Sequence, residues 1–282
     1  MKKLRSYSPL RYPGGKSQIY PLIKRIIEDN EMTKCIYVEG YAGGAAVAIR
    51  LLFEGVVKKI IINDYDRSIY AVWHSILNNT EEFIKLIDSA ELTIDEWKKQ
   101  KSIQKNKDTS DLLTLGFSTL YLNRTNRSGI ITAGVIGGYN QQGNYKMDCR
   151  FNKVVLTNLI KSISEYKKKI ELHNLDAVQF LKLLSKRKNL LYYLDPPYFN
   201  KGKELYTNFY NCEDHKILRD YIERKMAKKS VLISYDKCDE IEKLYLNFNQ
   251  KIIELNYYVE TKRKGEEIFI TKNLKFREQL FD

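Results

Sequence analysis

The four cysteines, Cys35, Cys149, Cys212 and Cys238, form no Cys-x-x-Cys pair, and the three histidines, His74, His173 and His215, are equally isolated. Neither a disulfide framework nor a clustered Cys/His metal site has support from such spacing, so no metal is expected. Long apolar runs are missing as well: nothing approaches the roughly 20 residues that a membrane-spanning helix needs. The basic start, Met1-Lys2-Lys3-Leu4-Arg5, is not followed by the apolar stretch of a signal peptide. The expectation is a reduced, cytoplasmic protein with no membrane partner. Two nucleotide-binding fingerprints are absent too. Neither G-x-G-x-x-G nor G-x-x-x-x-G-K-[ST] occurs, which disfavours hydride transfer and Walker-type phosphate binding.

Negative charge is the other scarcity. Lys and Arg number 48 against 35 Asp and Glu, a net of +13 over 282 residues. From Trp97 to Lys153 there is no glutamate at all, and ten Lys/Arg face three Asp, a net of +7. An excess of this kind is an electrostatic footprint for a polyanion, with nucleic acid the foremost candidate.

Apolar periodicity predicts helices over 16–30, 44–54, 66–78, 152–168, 176–185, 213–228 and 236–246. It predicts strands over 35–39, 59–63, 170–173, 190–194, 231–235, 251–258 and 267–272. Strands alternating with helices argue for a doubly wound, mostly parallel sheet. The last two strands, joined by the short charged link Glu260–Glu266 with its Gly265, are expected to close it as an antiparallel hairpin. Residues 80–150 break the alternation. Glu81–Lys107 and Leu112–Leu122 read as helices, and Gly129–Gly143 as a glycine-rich loop. This stretch is expected to be an insertion between the second and third strands.

The most informative run is Leu191-Tyr192-Tyr193-Leu194-Asp195-Pro196-Pro197-Tyr198. It reads as a buried parallel strand ending in an acid, two rigid residues and an aromatic ring, at the end of the sheet where ligands bind. The grouping suits transfer to a conjugated amine such as the exocyclic nitrogen of adenine. Two acceptors, the Asp195 carboxylate and the Pro196 carbonyl, would grip its two N–H bonds and return the lone pair to nitrogen. Pro197 would lock the turn, and Tyr198 would stack an extruded base. Catalysis would then consist of positioning and electrostatics.

Two further segments accompany it. Cys35–Glu39 reads as a strand, followed by the glycine-rich turn Gly40-Tyr41-Ala42-Gly43-Gly44 and a helix. The next strand ends in Asn63-Asp64 about 20 residues later, where an acid commonly holds a ribose diol. Near the amino end lies Arg11-Tyr12-Pro13-Gly14-Gly15-Lys16, ahead of an apolar-periodic helix.

Taken together, Tyr12-Pro13-Gly14-Gly15-Lys16, the Glu39–Gly44 turn, Asn63-Asp64, Asn123-Arg124-Thr125-Asn126-Arg127-Ser128-Gly129 and Asp195–Tyr198 make the chain resemble the Dam-like DNA adenine-N6 methyltransferases over nearly its whole length. The resemblance implies a Rossmann-like α/β fold with a seven-stranded, mostly parallel sheet. It implies S-adenosyl-L-methionine as methyl donor and double-stranded DNA as substrate, with a cognate restriction endonuclease left open as partner. It divides the chain into a donor-binding catalytic domain, 1–79 with 151–282, and an inserted DNA target-recognition subdomain, 80–150. Catalysis falls to Asp195, Pro196, Pro197 and Tyr198. Donor contacts fall to Tyr12, Lys16, Asp64 and Asp195, with Glu39, Gly40, Tyr41, Ala42 and Gly43 of the turn and Asp176 beside them. Helix capping is an equal reading for Asp176. Arg124, Asn126, Arg127, Lys146 and Arg150 are the candidate DNA contacts, with Tyr139 extending the same surface. Relatives usually carry proline where Gly40 stands, which puts donor affinity in question. Cytosine-N4 or RNA methylation, and a DNA-binding relative that has lost catalysis, are the alternatives.

Overall fold

A computed structural model describes residues 6–11, 16–197, 199, 210–258 and 262–276. It contains a seven-stranded mixed sheet in the order β3-β2-β1-β4-β5-β7-β6. The strands are β1 (Ile36–Glu39), β2 (Lys59–Asn63), β3 (Ile170–His173), β4 (Leu190–Leu194), β5 (Ser230–Asp236), β6 (Asn249–Tyr258) and β7 (Lys262–Lys272). Pairs β1–β2, β1–β4 and β4–β5 are parallel. Strand β7 runs antiparallel between β5 and β6. The sheet is mostly parallel and α/β, as the alternation of strands and helices predicted, and the fold is Rossmann-like, as the resemblance implied. One detail differs. Gly265 lies inside β7, paired with Leu255, and not in the hairpin link, because the two-stranded ladder runs on to Tyr258 and Lys262.

The chain forms two compact units. One comprises Gly15–Ala42, Val47–Tyr65 and Leu175–Asp282. It carries α1 (Tyr20–Asp29), most of α2 (Ala46–Phe53), α8 (Ala177–Leu183), α9 (Cys212–Lys225) and α10 (Asp239–Leu244). Strand β4 is buried at every position, so a continuous apolar run rather than an alternating one encodes it. Val38, Ile61, Tyr192, Leu194, Ile233 and Phe180 belong to one apolar cluster of this unit.

The other unit comprises Met1–Gly14, Gly43–Ala46 and Asp66–Asn174. It holds α3 (Arg67–Asn78), α4 (Thr80–Ser89), α5 (Ile94–Lys105), α6 (Leu112–Thr125) and α7 (Lys153–Ser164), with β3. Short polar side chains start its helices: Asp66, Thr93, Asp111 and Asn152 each accept a hydrogen bond from a first-turn backbone N–H. This unit is larger than the expected 80–150 insertion. The reason lies in α6, which packs against α3 so closely that a Cβ on Gly116 would meet the Ala71 carbonyl and Ser75 Oγ at 2.6 Å. Helix α3 thus belongs with the insertion and not with the strands before it.

Candidate active site

The parallel strands β1, β2 and β4 end together. Glu39, the last residue of β1, pairs with Ile62 on one side and Tyr193 on the other, so Glu39, Asp64 and Asp195 leave the sheet along one edge. This is where neighbouring strands of a doubly wound sheet bind ligands.

Asn63 organises that edge. Its side-chain amide donates to the Gly40 carbonyl and to the Leu175 carbonyl, each at 3.0 Å, and its Oδ1 accepts from Leu175 N–H at 3.0 Å. The backbone adds Ala42 N–H to the Asn63 carbonyl at 2.8 Å and Gly40 N–H to the Tyr193 carbonyl at 3.1 Å. One buried amide thereby holds both the glycine turn and the loop that leads into Asp176. The backbone bond to Tyr193 also bears on Gly40. A Cβ there would come within 2.6 Å of Leu194 Cδ2. Proline would in addition lack the N–H that bonds Tyr193.

The acids differ in their surroundings. Burial pushes the Glu39 carboxyl up to about 8, against the opposing pull of the Tyr37 hydroxyl and the Ala48 backbone N–H. Asp64 is buried at the end of β2. Asp176 caps α8, its Oδ1 accepting from Val178 N–H at 2.9 Å and Gln179 N–H at 3.3 Å. Asp195 is half-buried, and its Oδ1 accepts from Ser234 Oγ at 2.7 Å. Pro196 is buried and Pro197 half-buried directly behind it.

Aromatic rings line the same unit. The Tyr41 and Tyr210 hydroxyls are 2.8 Å apart. Phe199, Tyr210 and Tyr235 surround the His215 imidazole at ring-centroid distances of 5.1, 5.3 and 5.5 Å. His215 Nδ1 lies 3.0 Å from the Tyr235 hydroxyl. Desolvation pushes this imidazole down to about 4, so it is neutral near pH 7. Gly43 belongs to the other unit, where its carbonyl accepts from Trp73 Nε1 at 2.9 Å. Tyr12 and Tyr198 lie outside the described residues. Lys16 begins the short 3-10 turn before α1, and its side chain is likewise outside them.

The candidate DNA contacts separate into two groups. Arg127, Lys146 and Arg150 are exposed, as are Tyr139 at 65 % and Tyr145 at 70 %. Arg124 and Asn126 are not at the surface as expected. The Arg124 guanidinium bonds the Pro9 carbonyl, with Nε at 2.8 Å, and desolvation beside Arg11 lowers it to about 10. Asn126 is fully buried: it accepts from Trp97 Nε1 at 2.7 Å and donates to the Ile130 and Ile131 carbonyls at 3.0 and 2.9 Å. Asn123 joins them, accepting from Arg11 N–H at 2.7 Å and donating to the Arg11 carbonyl at 2.7 Å. The Asn123–Gly129 segment holds its own unit together through these side chains.

Ser234, Tyr210 and His215 were not anticipated, and Asn63 was read only as part of the Asn63-Asp64 motif, without a role of its own. For Asn63 and Ser234 a signal was present, since each directly follows a run of apolar residues in its strand, Ile60–Ile62 and Val231–Ile233, and buried polar groups have partners. Tyr210 and His215 carry no comparable mark. Among the described residues no group of three or more His, Cys, Asp or Glu could hold a metal. None of their helices is long and apolar enough to cross a membrane.

Acids at the ends of adjacent parallel strands, a glycine turn after the first of them and an acid-proline-proline exit from β4 are the arrangement that the resemblance implies for an S-adenosyl-L-methionine-dependent methyltransferase. The residues present are compatible with that donor: Asp64 is buried at the end of β2, and the Gly40 and Ala42 backbone N–H groups tie the turn to Tyr193 and Asn63 beside it. Residues 12–261 match the model of the D12 class N6 adenine-specific DNA methyltransferases, and the chain belongs to that family. It is 27 % identical over 269 residues to the type II methyltransferase M.MjaIII of Methanocaldococcus jannaschii, covering 86 % of this chain and 89 % of that one. It is 25 % identical over 259 residues to the type II methyltransferase M1.LlaDCHI of Lactococcus lactis subsp. cremoris, covering 86 % of each. Among solved structures, the rRNA methyltransferase AviRa of Streptomyces viridochromogenes aligns with a TM-score of 0.36 at 7 % identity, over 89 % of this chain and 84 % of that one. The chain is thus an enzyme that transfers a methyl group from S-adenosyl-L-methionine to the N6 amine of adenine in DNA.

Proposed function

We propose that methyl transfer takes place at the exit of β4, within a specific sequence of double-stranded DNA, on an adenine extruded from the helix. The observation that carries this is Asp195 leaving β4 with one carboxylate oxygen held by Ser234 and the Pro196 carbonyl next in the chain. Bound S-adenosyl-L-methionine supplies a methyl group made electrophilic by its sulfonium. Asp64, Asp176, Asp195, Lys16 and the Glu39–Ala42 turn are the groups of the unit carrying β4 that would hold the donor. Asp195 and the Pro196 carbonyl accept the two N–H bonds of the amine, which localises its lone pair. Pro197 keeps the turn rigid and Tyr198 stacks the base. Adenine N6 is engaged in pairing within a duplex, so the base must leave the stack first.

Arg127, Lys146 and Arg150, with Tyr139 and Tyr145, are the groups we assign to DNA. The type II names of the relatives support a cognate restriction endonuclease as partner, and we read the site of action as the cytoplasm. The test is to incubate the purified chain with duplex DNA and labelled donor and to map N6-methyladenine. Asp195→Ala is expected to lower turnover on the order of 10²–10³-fold with DNA affinity retained. Full activity in that variant would overturn the assignment.

A further inference from the structure

We propose that Ser234 is a positioning residue for the reaction, the middle member of a hydroxyl relay that aims the Asp195 carboxylate. The proposal rests on Asp195 being the group that grips the target amine.

The register places the participants. Leu194 pairs with Ile233, so Asp195 comes opposite Ser234 on the neighbouring parallel strand. Tyr193 precedes Asp195 by two residues and therefore lies on the same face of β4. The distances follow: Tyr193 hydroxyl to Ser234 Oγ is 2.8 Å and Ser234 Oγ to Asp195 Oδ1 is 2.7 Å. Serine has one hydrogen to donate, and an ionised carboxylate only accepts. With the Ser234 hydrogen directed at Asp195, the Tyr193 hydroxyl must donate to Ser234. The relay thus has one direction, Tyr193 to Ser234 to Asp195. Both hydroxyls are buried, Ser234 completely.

Stability alone does not call for this arrangement. Replacing both partners of a buried hydrogen bond with apolar groups of similar shape is close to neutral, so phenylalanine and alanine could stand in for the Tyr193–Ser234 bond, whereas no apolar pair supplies the second bond, from Ser234 to Asp195. What the relay adds is orientation. The terminal torsion of an aspartate is broad and nearly unrestrained. A donor fixed on a neighbouring sheet strand holds one oxygen and so sets the plane of the carboxylate. A rigidly held first contact is what an amine-gripping acid needs.

The experiment compares the parent chain with Ser234→Ala, Ser234→Cys, Tyr193→Phe, the Tyr193→Phe/Ser234→Ala double variant and Asp195→Ala. Single-turnover methylation of duplex DNA, donor binding by titration and thermal melting are measured on each. Ser234→Ala is expected to lower the methylation rate roughly 10–100-fold, the span of one hydrogen bond to a charged group. Donor affinity, to which Asp195 also contributes, is expected to fall by much less than the methylation rate. Ser234→Cys has nearly the same size but is a weak donor, so it should behave like Ala, whereas a packing role would be rescued by it. Tyr193→Phe leaves the Ser234 donor in place and should fall between Ser234→Ala and the parent. The double variant should melt no lower than Ser234→Ala, since it leaves no tyrosine hydroxyl unpaired at that point, and should remain as slow. A Ser234→Ala rate within about twofold of the parent, rescue by Ser234→Cys, or a double variant of parental rate would overturn the proposal. Full activity of Asp195→Ala would instead overturn the reading on which it rests, and the two failures are separable because Asp195→Ala is run alongside.

Discussion

Glu39 shows how a single carboxyl can link folding to pH. Burial raises it from 4.5 to about 8 in the folded chain, so the folded state holds a proton that the unfolded chain releases. The stability it contributes is fully present below its unfolded value and declines as pH rises through the folded one. Glu39→Gln keeps the shape without the ionisation. Its melting temperature relative to the parent should therefore climb between pH 5 and 8, which a melting series at fixed salt will show. Arg124 makes the complementary point. Its guanidinium bonds the carbonyl of Pro9 inside its own unit, so Arg124→Ala should destabilise by about 1.5–3 kcal/mol and leave the salt dependence of DNA binding unchanged. Denaturant titration and binding at several salt concentrations check the two halves. The place of Asp195 at the exit of β4 was legible in the sequence because the apolar run Leu190–Leu194 stops there and two prolines follow. Arg124 and Asn126 were not, since their motif is written along α6 and its end. Sequence spacing does not say which members of such a segment turn inward.

The strands and helices were readable wherever burial leaves a period. Strand β4 is apolar at every residue and α1 apolar along one face, and both lie where the pattern put them. What escaped was the pairing of elements with one another. The length of the β6–β7 ladder depends on cross-strand partners, so Gly265 looked like a turn and is a strand residue. Helix α3 looked like the usual partner of β2 and is bound to α6 through Gly116. Helix α9 carries a prediction of its own. Asn211 caps it reciprocally with Asp214, and four residues later His215 enters its aromatic surroundings. The imidazole is lowered from 6.5 to about 4. Its contribution to stability is complete above pH 6.5 and is lost as pH falls towards 4. His215→Gln stays neutral throughout and should flatten the acid limb of a stability–pH curve measured by urea unfolding.

At the scale of the whole molecule, the net charge of +13 predicts strong salt dependence in DNA binding, but the structure redistributes the cations responsible. Lys98 and Lys99 pair with Asp95 and Glu96 at 3.4 Å, Lys101 donates to the Ile131 and Thr132 carbonyls, and Lys107 lies 3.6 Å from Asp66. Arg127, Lys146 and Arg150 are therefore the cations to remove. Each that contacts a phosphate should reduce the log–log salt slope by roughly 0.9, and a triple alanine variant with an unchanged slope would mean that they are merely solvated. The position of β7 has a different consequence, one of order in time. The last strand in the sequence fills an interior place in the sheet, between β5 and β6. While the chain is being synthesised, β5 must wait with an open edge that carries Ile233 and Tyr235, and it cannot be paired until residues 262–272 emerge. Unpaired apolar edges invite association between chains. A chain stopped at Tyr258 should therefore aggregate as it forms rather than fold into a smaller enzyme. Supplying a peptide of residues 262–276 during refolding should raise the soluble yield.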